Sequence, residues 1–241
     1  MAVVASATAT LLHEGVGHGV VAWLRGDVPT ELTSNHLSSL RADHWVEAGG
    51  TLVNLGAGAI ALIGSWRAGN RSNLRYFLWL LGALNLLPGA GYFLYSGVLG
   101  VGDWNAVIRD LPNQIALRAA LAAFGAILYV LVVRQLARAI QPFCSTRQEY
   151  NTVGRIPYYA ACLFSCAAGA LDPLGIELFF LSTVAAAFGG SSGLLWADRF
   201  LRGEASPLSL SVQRQPAWWV AATALGAGYV VILGRDVKFT P

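Results

Sequence analysis

Seven apolar stretches of roughly membrane-spanning length, joined by short polar loops, constrain this sequence more than any other feature. They lie at residues 2–24, 46–66, 76–99, 114–133, 156–171, 174–197 and 217–234. Of the 241 residues, 55% are hydrophobic and 12% are charged. An ordinary soluble domain carries about 25% charged residues, so this chain has too few to coat a globular surface in water. A membrane-spanning helix needs about 20 apolar residues, and lipid is therefore the predicted solvent for most of the surface.

The stretches predict an all-α, polytopic integral membrane protein with six or seven transmembrane helices. The count depends on residues 156–171, which are short for a span and either cross the membrane or form a re-entrant piece. Pro88 is predicted to break the third helix near mid-membrane, because glycines follow it closely. We expect a single transmembrane domain over 1–241, since no extramembrane segment within it is long enough for a second domain.

Arginine is distributed unevenly among the loops. It is concentrated after the second, fourth and sixth stretches, so the positive-inside rule places the N-terminus in the cytoplasm if residues 156–171 cross the membrane. The first stretch is predicted to be a retained helix and not a signal peptide, because it lacks a basic start and carries histidine and glutamate at its centre. The single lysine among 16 basic residues suggests a bacterial cytoplasmic membrane, and no basic cluster indicates a nucleic-acid partner.

Two histidines and a glutamate lie in the middle of the first stretch, within Leu12-His13-Glu14-Gly15-Val16-Gly17-His18. Ionisable residues inside a span are costly and usually functional. Neutral imidazole is a good zinc ligand, and a neighbouring carboxylate can act as a base toward a metal-bound water. The pattern favours zinc, with a metal-free polar cluster between helices, haem or another metal as the alternatives.

The two histidines are five residues apart, whereas the common zinc pattern H-E-x-x-H spaces them by four. In a regular α-helix, this spacing separates the side chains by about 140°. A one-residue π-bulge would return them to one face, and Gly15 and Gly17 would ease that distortion. The same six residues resemble the H-E-x-x-G-H motif of the dipeptidyl peptidase III family, in which both histidines bind zinc.

Two further motifs follow in the next stretches, Gly50-Thr51-Leu52-Val53-Asn54 and Asn85-Leu86-Leu87-Pro88. Together with the histidine motif, the chain resembles the site-2 protease family of intramembrane zinc metalloproteases over roughly residues 8–104. The three pieces look like the family's H-E-x-x-H helix, its G-P-x-x-N motif, with Thr51 where proline is usual, and the start of its N-x-x-P…L-D-G segment. Asp103, within Gly-Asp-Trp, takes the place of the family's aspartate.

The resemblance implies a role for each matched residue. His13, His18 and Asp103 would hold zinc, Glu14 would activate a zinc-bound water, and Asn54 and Asn85 would position the substrate or support the oxyanion. Asp103 would reach a mid-membrane metal only if residues 88–102 fold back. Asp172 and Glu177 are rival third ligands; His36 and His44 are expected to be solvated, unless the first loop folds into the site.

The implied activity is hydrolysis of a peptide bond in a transmembrane or membrane-adjacent segment of a membrane protein or peptide substrate. Residues 1–104 would form the metalloprotease-like core and residues 105–241 additional transmembrane helices, so that any regulation would come from a membrane partner. A non-catalytic scaffold, a transporter-like protein or a zinc-binding pseudoprotease would use the same cluster structurally. Geometry separates the metal-binding readings from the scaffold and transporter-like ones, because two zinc-bound imidazoles must bring ring nitrogens to within about 3–4 Å.

Overall fold

The computed structural model describes residues 1–41, 43–173, 175–201 and 209–239, which are predominantly helical. The helices are α1 (Ala2–Thr10), π1 (Leu11–Val20), α2 (Val21–Leu24), α3 (His44–Arg67), α4 (Ser72–Leu99), α5 (Asp103–Ile108), α6 (Gln114–Ile140), α7 (Arg147–Tyr150), π2 (Asn151–Arg155), α8 (Ile156–Gly169), α9 (Ile176–Leu178), π3 (Phe179–Gly190), α10 (Gly193–Trp196) and α11 (Pro216–Ile232). Two 3-10 turns occupy Gln141–Phe143 and Ala197–Phe200. Helices α1, π1 and α2 follow one another without interruption.

Four helical segments among the described residues are long and apolar enough to cross a membrane. They are His44–Arg67, Ser72–Leu99, Gln114–Phe143 and Ile176–Phe200. Each of the seven predicted stretches is helical over most of its length, and the four long segments fit an integral membrane protein. The helical character of the chain is therefore confirmed, and four of its helical segments could span a membrane, whereas the total of six or seven spans stays a prediction.

Helix α4 lies at the centre of the protein and runs without a break through Pro88, so the predicted broken third helix was wrong. Proline removes one backbone donor, but neighbouring helices and local adjustments compensate for that loss inside membrane proteins. Leu87 and Ala90, on either side of the proline, are fully buried. A Cβ atom added to Gly190 of π3 would stand 3.4 Å from the Pro88 Cα. Close packing from several sides therefore holds this helix together.

Helices π1 and α3 cross in backbone contact at Gly17. A Cβ atom at Gly17 would lie 2.7 Å from the backbone nitrogen of Gly50 and 2.8 Å from the carbonyl oxygen of Gly49, closer than a side chain can approach. Gly15, on the same helix, faces open space. The crossing brings the histidines of π1 against the first turns of α3.

We expect Gly17→Ala to destabilise the protein by about 1–3 kcal/mol, because an added methyl group overpacks a close helix contact. Gly15→Ala is the matched control on the same helix and should be neutral or slightly stabilising, since alanine favours helix over glycine. Thermal unfolding in detergent, followed by circular dichroism, measures the difference. Equal Tm values for the two variants would contradict the contact between π1 and α3.

A small antiparallel sheet, absent from the all-α prediction, follows the first helical segment. Strand β1 (Pro29–Leu32) pairs with β2 (Leu37–Ser39) on one side and with β3 (Val237–Lys238) on the other. Strands of two to four residues are too short to show an alternating pattern in the sequence. Strand β2 forms an edge of the sheet and packs toward π1, so the first loop covers the histidine helix.

Candidate metal centre

The histidine motif lies in π1, whose backbone hydrogen bonds run from residue i to residue i+5. Residues five apart lie nearly above one another in such a helix, whereas an α-helix separates them by about 140°. The Nε2 atoms of His13 and His18 are accordingly 3.3 Å apart. The predicted convergence of the ring nitrogens is confirmed, and the helical distortion extends over 10 residues where a one-residue bulge was predicted.

Asp103, the first residue of α5, places its carboxylate beside both imidazoles. Its Oδ2 atom is 3.4 Å from the Nε2 of His13 and 3.7 Å from the Nε2 of His18. Ligand atoms bound tetrahedrally to one zinc ion at about 2.0–2.2 Å stand about 3.3–3.6 Å from one another. The buried donor atoms of His13, Glu14 and His18 also lie within 4.8 Å of one another, so this group can hold a metal ion.

A tight glycine turn brings Asp103 back to the histidines. Gly100 and Gly102 adopt positive φ angles of 70° and 81°, which glycine accepts without steric cost. The expected fold-back over residues 88–102 is therefore confined to the turn after α4, because residues 88–99 remain helical. The candidate centre consequently lies beside the first turns of α3 and the end of α4, near one end of these helices.

Each imidazole is held by a separate contact. The Nδ1 of His18 lies 2.7 Å from the carbonyl oxygen of Val46. Since a carbonyl only accepts, this nitrogen donates, and the Nε2 of the neutral ring carries the lone pair that a metal needs. His13 stacks on Tyr92, with ring centroids 5.0 Å apart and an interplanar angle of 18°. Both Nε2 atoms are thereby positioned beside Asp103.

Helix α3 supplies the wall behind the two imidazoles. A Cβ atom at Gly50 would collide with the His18 Nε2 and would lie 2.6 Å from the His13 Cε1. Thr51, which is fully buried, donates its hydroxyl to the Oδ2 of Asp103 at 3.5 Å. Thr51, which stands where the G-P-x-x-N motif usually has proline, therefore contacts the Asp103 carboxylate that faces both histidines.

The carboxylate of Asp103 is charged in this environment. Burial raises the pKa of Asp103, but the interactions of its carboxylate with His13 and His18 outweigh this effect and hold the pKa below its ordinary value. A carboxylate must be ionised to bind a metal ion. Asp103 therefore meets the chemical requirement for a third ligand as well as the geometric one.

Glu14 lies beside the histidines, where two open spaces meet. Its Oε1 is 4.0 Å from the Nε2 of His13, and its Oε2 has no hydrogen-bond partner among the described residues. Glu14 lines a cleft of about 1080 Å³, which His18 and Asp103 also line. It lines an adjoining cavity of about 90 Å³ as well. A molecule in the cleft can therefore reach the donor atoms and the Glu14 carboxylate together.

The two asparagines of the motifs are placed differently. Asn54 is buried, lines the small cavity with His13 and Glu14, and has an amide oxygen without a partner among the described residues. Asn85 is fully buried and donates its amide to the Leu81 carbonyl at 2.7 Å, but it lines neither the cleft nor the cavity. The structure thus brings Asn54 to the centre and leaves Asn85 between α3 and α4, where its substrate role stays a prediction.

The first loop folds over the cleft and contacts Asp172. Asn35 donates its amide to the Asp172 carboxylate at 3.0 Å, and the His36 Nδ1 lies 3.6 Å from the same oxygen. The His36 side chain is only 19% exposed and lines the cleft, so the expectation that it is solvated was wrong. The other rival ligands, His44 and Glu177, are exposed.

Sequence reasoning missed two residues that shape the centre. Tyr92 supports His13, and Asn35 lines both the cavity and the cleft. An aromatic residue in an apolar helix is usually ordinary packing, and an asparagine in a loop is usually solvated. A signal for either residue was therefore not available without the tertiary structure.

No protein-family model, curated protein or solved structure matches this chain. The resemblance to site-2 proteases consequently rests on the three motifs and their order. Function has to be argued from the donor atoms, their spacing and the space beside them.

Proposed function

We propose that this protein is an intramembrane zinc metalloprotease that hydrolyses a peptide bond in a transmembrane or membrane-adjacent segment. One observation carries the proposal: the Nε2 atoms of His13 and His18 and the Oδ2 of Asp103 stand 3.3–3.7 Å apart, with the Glu14 carboxylate beside them. Catalytic zinc sites use three protein ligands and keep a fourth position open, whereas structural zinc sites are closed by four. The set of three donors beside an open cleft supports the catalytic kind of site.

Several residues of the chain have separate roles in the reaction. When bound, zinc supplies Lewis acidity that polarises a carbonyl and acidifies water. Glu14 accepts a proton from the attacking water at its free Oε2 and passes it to the leaving amine. Asn54, which lines the cavity beside Glu14, would position the substrate or support the oxyanion where this cavity meets the cleft. Thr51 and Val46 fix the positions of Asp103 and His18.

The cleft has the size and lining for an extended apolar segment. Leucine and valine side chains of α4 and of the α9–π3 region cover much of its wall. Residues 37–39 of β2 line it as well, and β2 is an edge strand of the sheet. An extended peptide can add to such an edge through main-chain hydrogen bonds. The substrate would accordingly be a single chain that unwinds locally at the cleavage site.

We further propose how the chain sits in its membrane. The uninterrupted helix over residues 2–24 and α11 cross the bilayer in addition to the four long apolar segments, which makes six spans. Helix α8 would be the seventh, and its 14 residues are short for a crossing. With α8 counted as a span, the arginine distribution supports a cytoplasmic N-terminus, and the composition supports a bacterial cytoplasmic membrane. Substrate and any regulator would both be membrane partners.

Metal content and cleavage, measured together, test the proposed function. Protein purified in detergent without chelator should contain about one zinc ion per chain, because two imidazoles and a carboxylate form one site. His18→Ala and Asp103→Ala should each lose the zinc and the cleavage of a panel of single-span substrates. Zinc is quantified by elemental mass spectrometry, and cleavage by peptide mass spectrometry.

His44→Ala and Asp110→Ala are the matched controls. These two side chains face each other at 3.7 Å, are 51% and 70% exposed, and should leave zinc and cleavage unchanged. A wild-type protein free of zinc would refute the metal centre. Zinc in the wild type without cleavage of any substrate would instead indicate a metal-binding pseudoprotease.

A further inference from the structure

The wall of the small cavity beside Glu14 is largely apolar but carries several hydroxyl groups. Seven of its lining residues are serine or threonine, and they come from separate parts of the chain, including Ser6 of α1, Ser34 of the first loop, Ser165 of α8 and Thr183 of π3. Hydroxyl side chains converging from several helices are costly in an apolar interior unless each finds a partner. Ser6 and Ser165 bond each other and Thr183 bonds the Asn35 amide oxygen, so the polar atoms without partners decide whether the cavity holds a polar occupant.

Four buried polar atoms on the wall of this cavity have no hydrogen-bond partner among the described residues. They are the Nδ1 of His13, the Oε2 of Glu14, the Oγ of Ser34 and the Oδ1 of Asn54. Buried polar atoms in proteins are nearly always hydrogen-bonded, to ordered water where protein partners are lacking. Glu14 and Asn54 offer acceptors, and His13 offers a donor when its Nε2 faces a metal. Water satisfies both kinds of atom at once.

We propose that this cavity is a hydrated chamber that supplies water to Glu14. A buried water needs about 10–15 Å³ of such space, so a cavity of about 90 Å³ holds several. Glu14, Asn35 and Tyr92 line both the cavity and the cleft, which places the Glu14 carboxylate at their junction. A substrate that fills the cleft displaces the water there, whereas the chamber keeps water within reach of Glu14. That Glu14 uses this water for hydrolysis rests on the proposed function, whereas the hydration of the cavity does not.

Two buried cysteines provide an internal test of hydration. Both thiols belong to the main hydrophobic core and are 1% (Cys162) and 3% (Cys144) exposed, but Cys162 lines the cavity, whereas Cys144 lines neither the cavity nor the cleft. X-ray radiolysis of the whole protein in H₂¹⁸O creates hydroxyl radicals at bound waters, and mass spectrometry reads the oxidised thiols. We expect Cys162 to take up ¹⁸O several-fold faster than Cys144. Equal, slow labelling of both thiols would overturn the hydrated chamber.

Ser165→Val tests whether the chamber supplies water to Glu14. Cys166→Val, at the neighbouring position on α8, is the control. Ser165 lines the cavity and shares a 3.0 Å hydrogen bond with Ser6, whereas Cys166 does not line it. We expect Ser165→Val to lower both Cys162 labelling and substrate cleavage several-fold with zinc retained, and Cys166→Val to change none of these.

A folded Ser165→Val protein with unchanged Cys162 labelling and unchanged cleavage would overturn the proposal that the chamber supplies water to Glu14. Thermal unfolding of both valine variants establishes that they are folded. Labelled Cys162 in a wild type that binds no zinc and cleaves nothing would support the hydrated chamber but refute the proposed function. The two failures are therefore distinguishable.

Discussion

Glu14→Gln is expected to abolish peptide hydrolysis while the zinc content stays at the wild-type level. The Glu14 carboxylate stands beside the His13 Nε2 with one oxygen free, so it can take a proton from water, and a neutral amide cannot. Loss of a positioned general base typically costs a factor of about 10²–10⁴ in rate. Glutamine has nearly the same shape, and the three proposed ligands remain in place.

Rates of cleavage on the single-span substrate panel, together with zinc per chain, measure this effect. Glu177→Gln makes the same chemical change at an exposed position on α9 and should cleave at the wild-type rate. If Glu14→Gln processed substrates as fast as wild type, Glu14 would not be the base. If it lost zinc as well as activity, Glu14 would be acting as a ligand.

Gly50→Ala is expected to lower zinc affinity by more than about 100-fold, beyond the range usual for a residue that only supports a ligand. A Cβ atom at Gly50 would collide with the His18 Nε2 and stand 2.8 Å from the His13 Nε2. Both imidazoles would have to move, and the 3.3 Å separation of their nitrogens would be lost. Because backbone on one side and rings on the other enclose this position, relaxation is limited.

Gly56→Ala is the matched control on the same helix, since Gly56 is exposed and has nothing within 4 Å of an added Cβ atom. Zinc titration with a competing chelator compares the two variants, and circular dichroism establishes that both are folded. Equal zinc affinity in both would show that the imidazoles do not lie against Gly50. A loss of zinc in both would indicate a general weakness of α3.

Local patterns in the sequence indicated the central residues of the site but not the residues around them. His13, Glu14 and His18 stand out because ionisable side chains are costly in lipid. Asp103 was named through the family resemblance, and its place beside both imidazoles depends on the turn at Gly100 and Gly102. The hairpin that carries Asn35 and His36 left no pattern, since its strands are only three and four residues long.

Pro88 shows why a local rule can fail. Proline in a helix predicts a break from backbone chemistry alone. Helix α4 continues because α3, α6 and π3 pack around it, and that packing is set by residues distant in sequence. The adjacent glycines allow close helix contacts, as at Gly89 against Leu55, and they are therefore compatible with a continuous helix.

The sequence by itself determined that the chain is helical, that its long helices are apolar enough to cross a membrane, and that one helix carries two histidines and a glutamate. These properties follow from composition and spacing. The length of an apolar stretch and the cost of placing a charged side chain in lipid can both be judged from residues that are close together in the sequence. The tertiary structure decided that Asp103 meets the two imidazoles and that a small cavity carrying hydroxyl groups adjoins Glu14. Each of these depends on the approach of segments far apart in the chain, where packing, and not local preference, sets the distance between atoms.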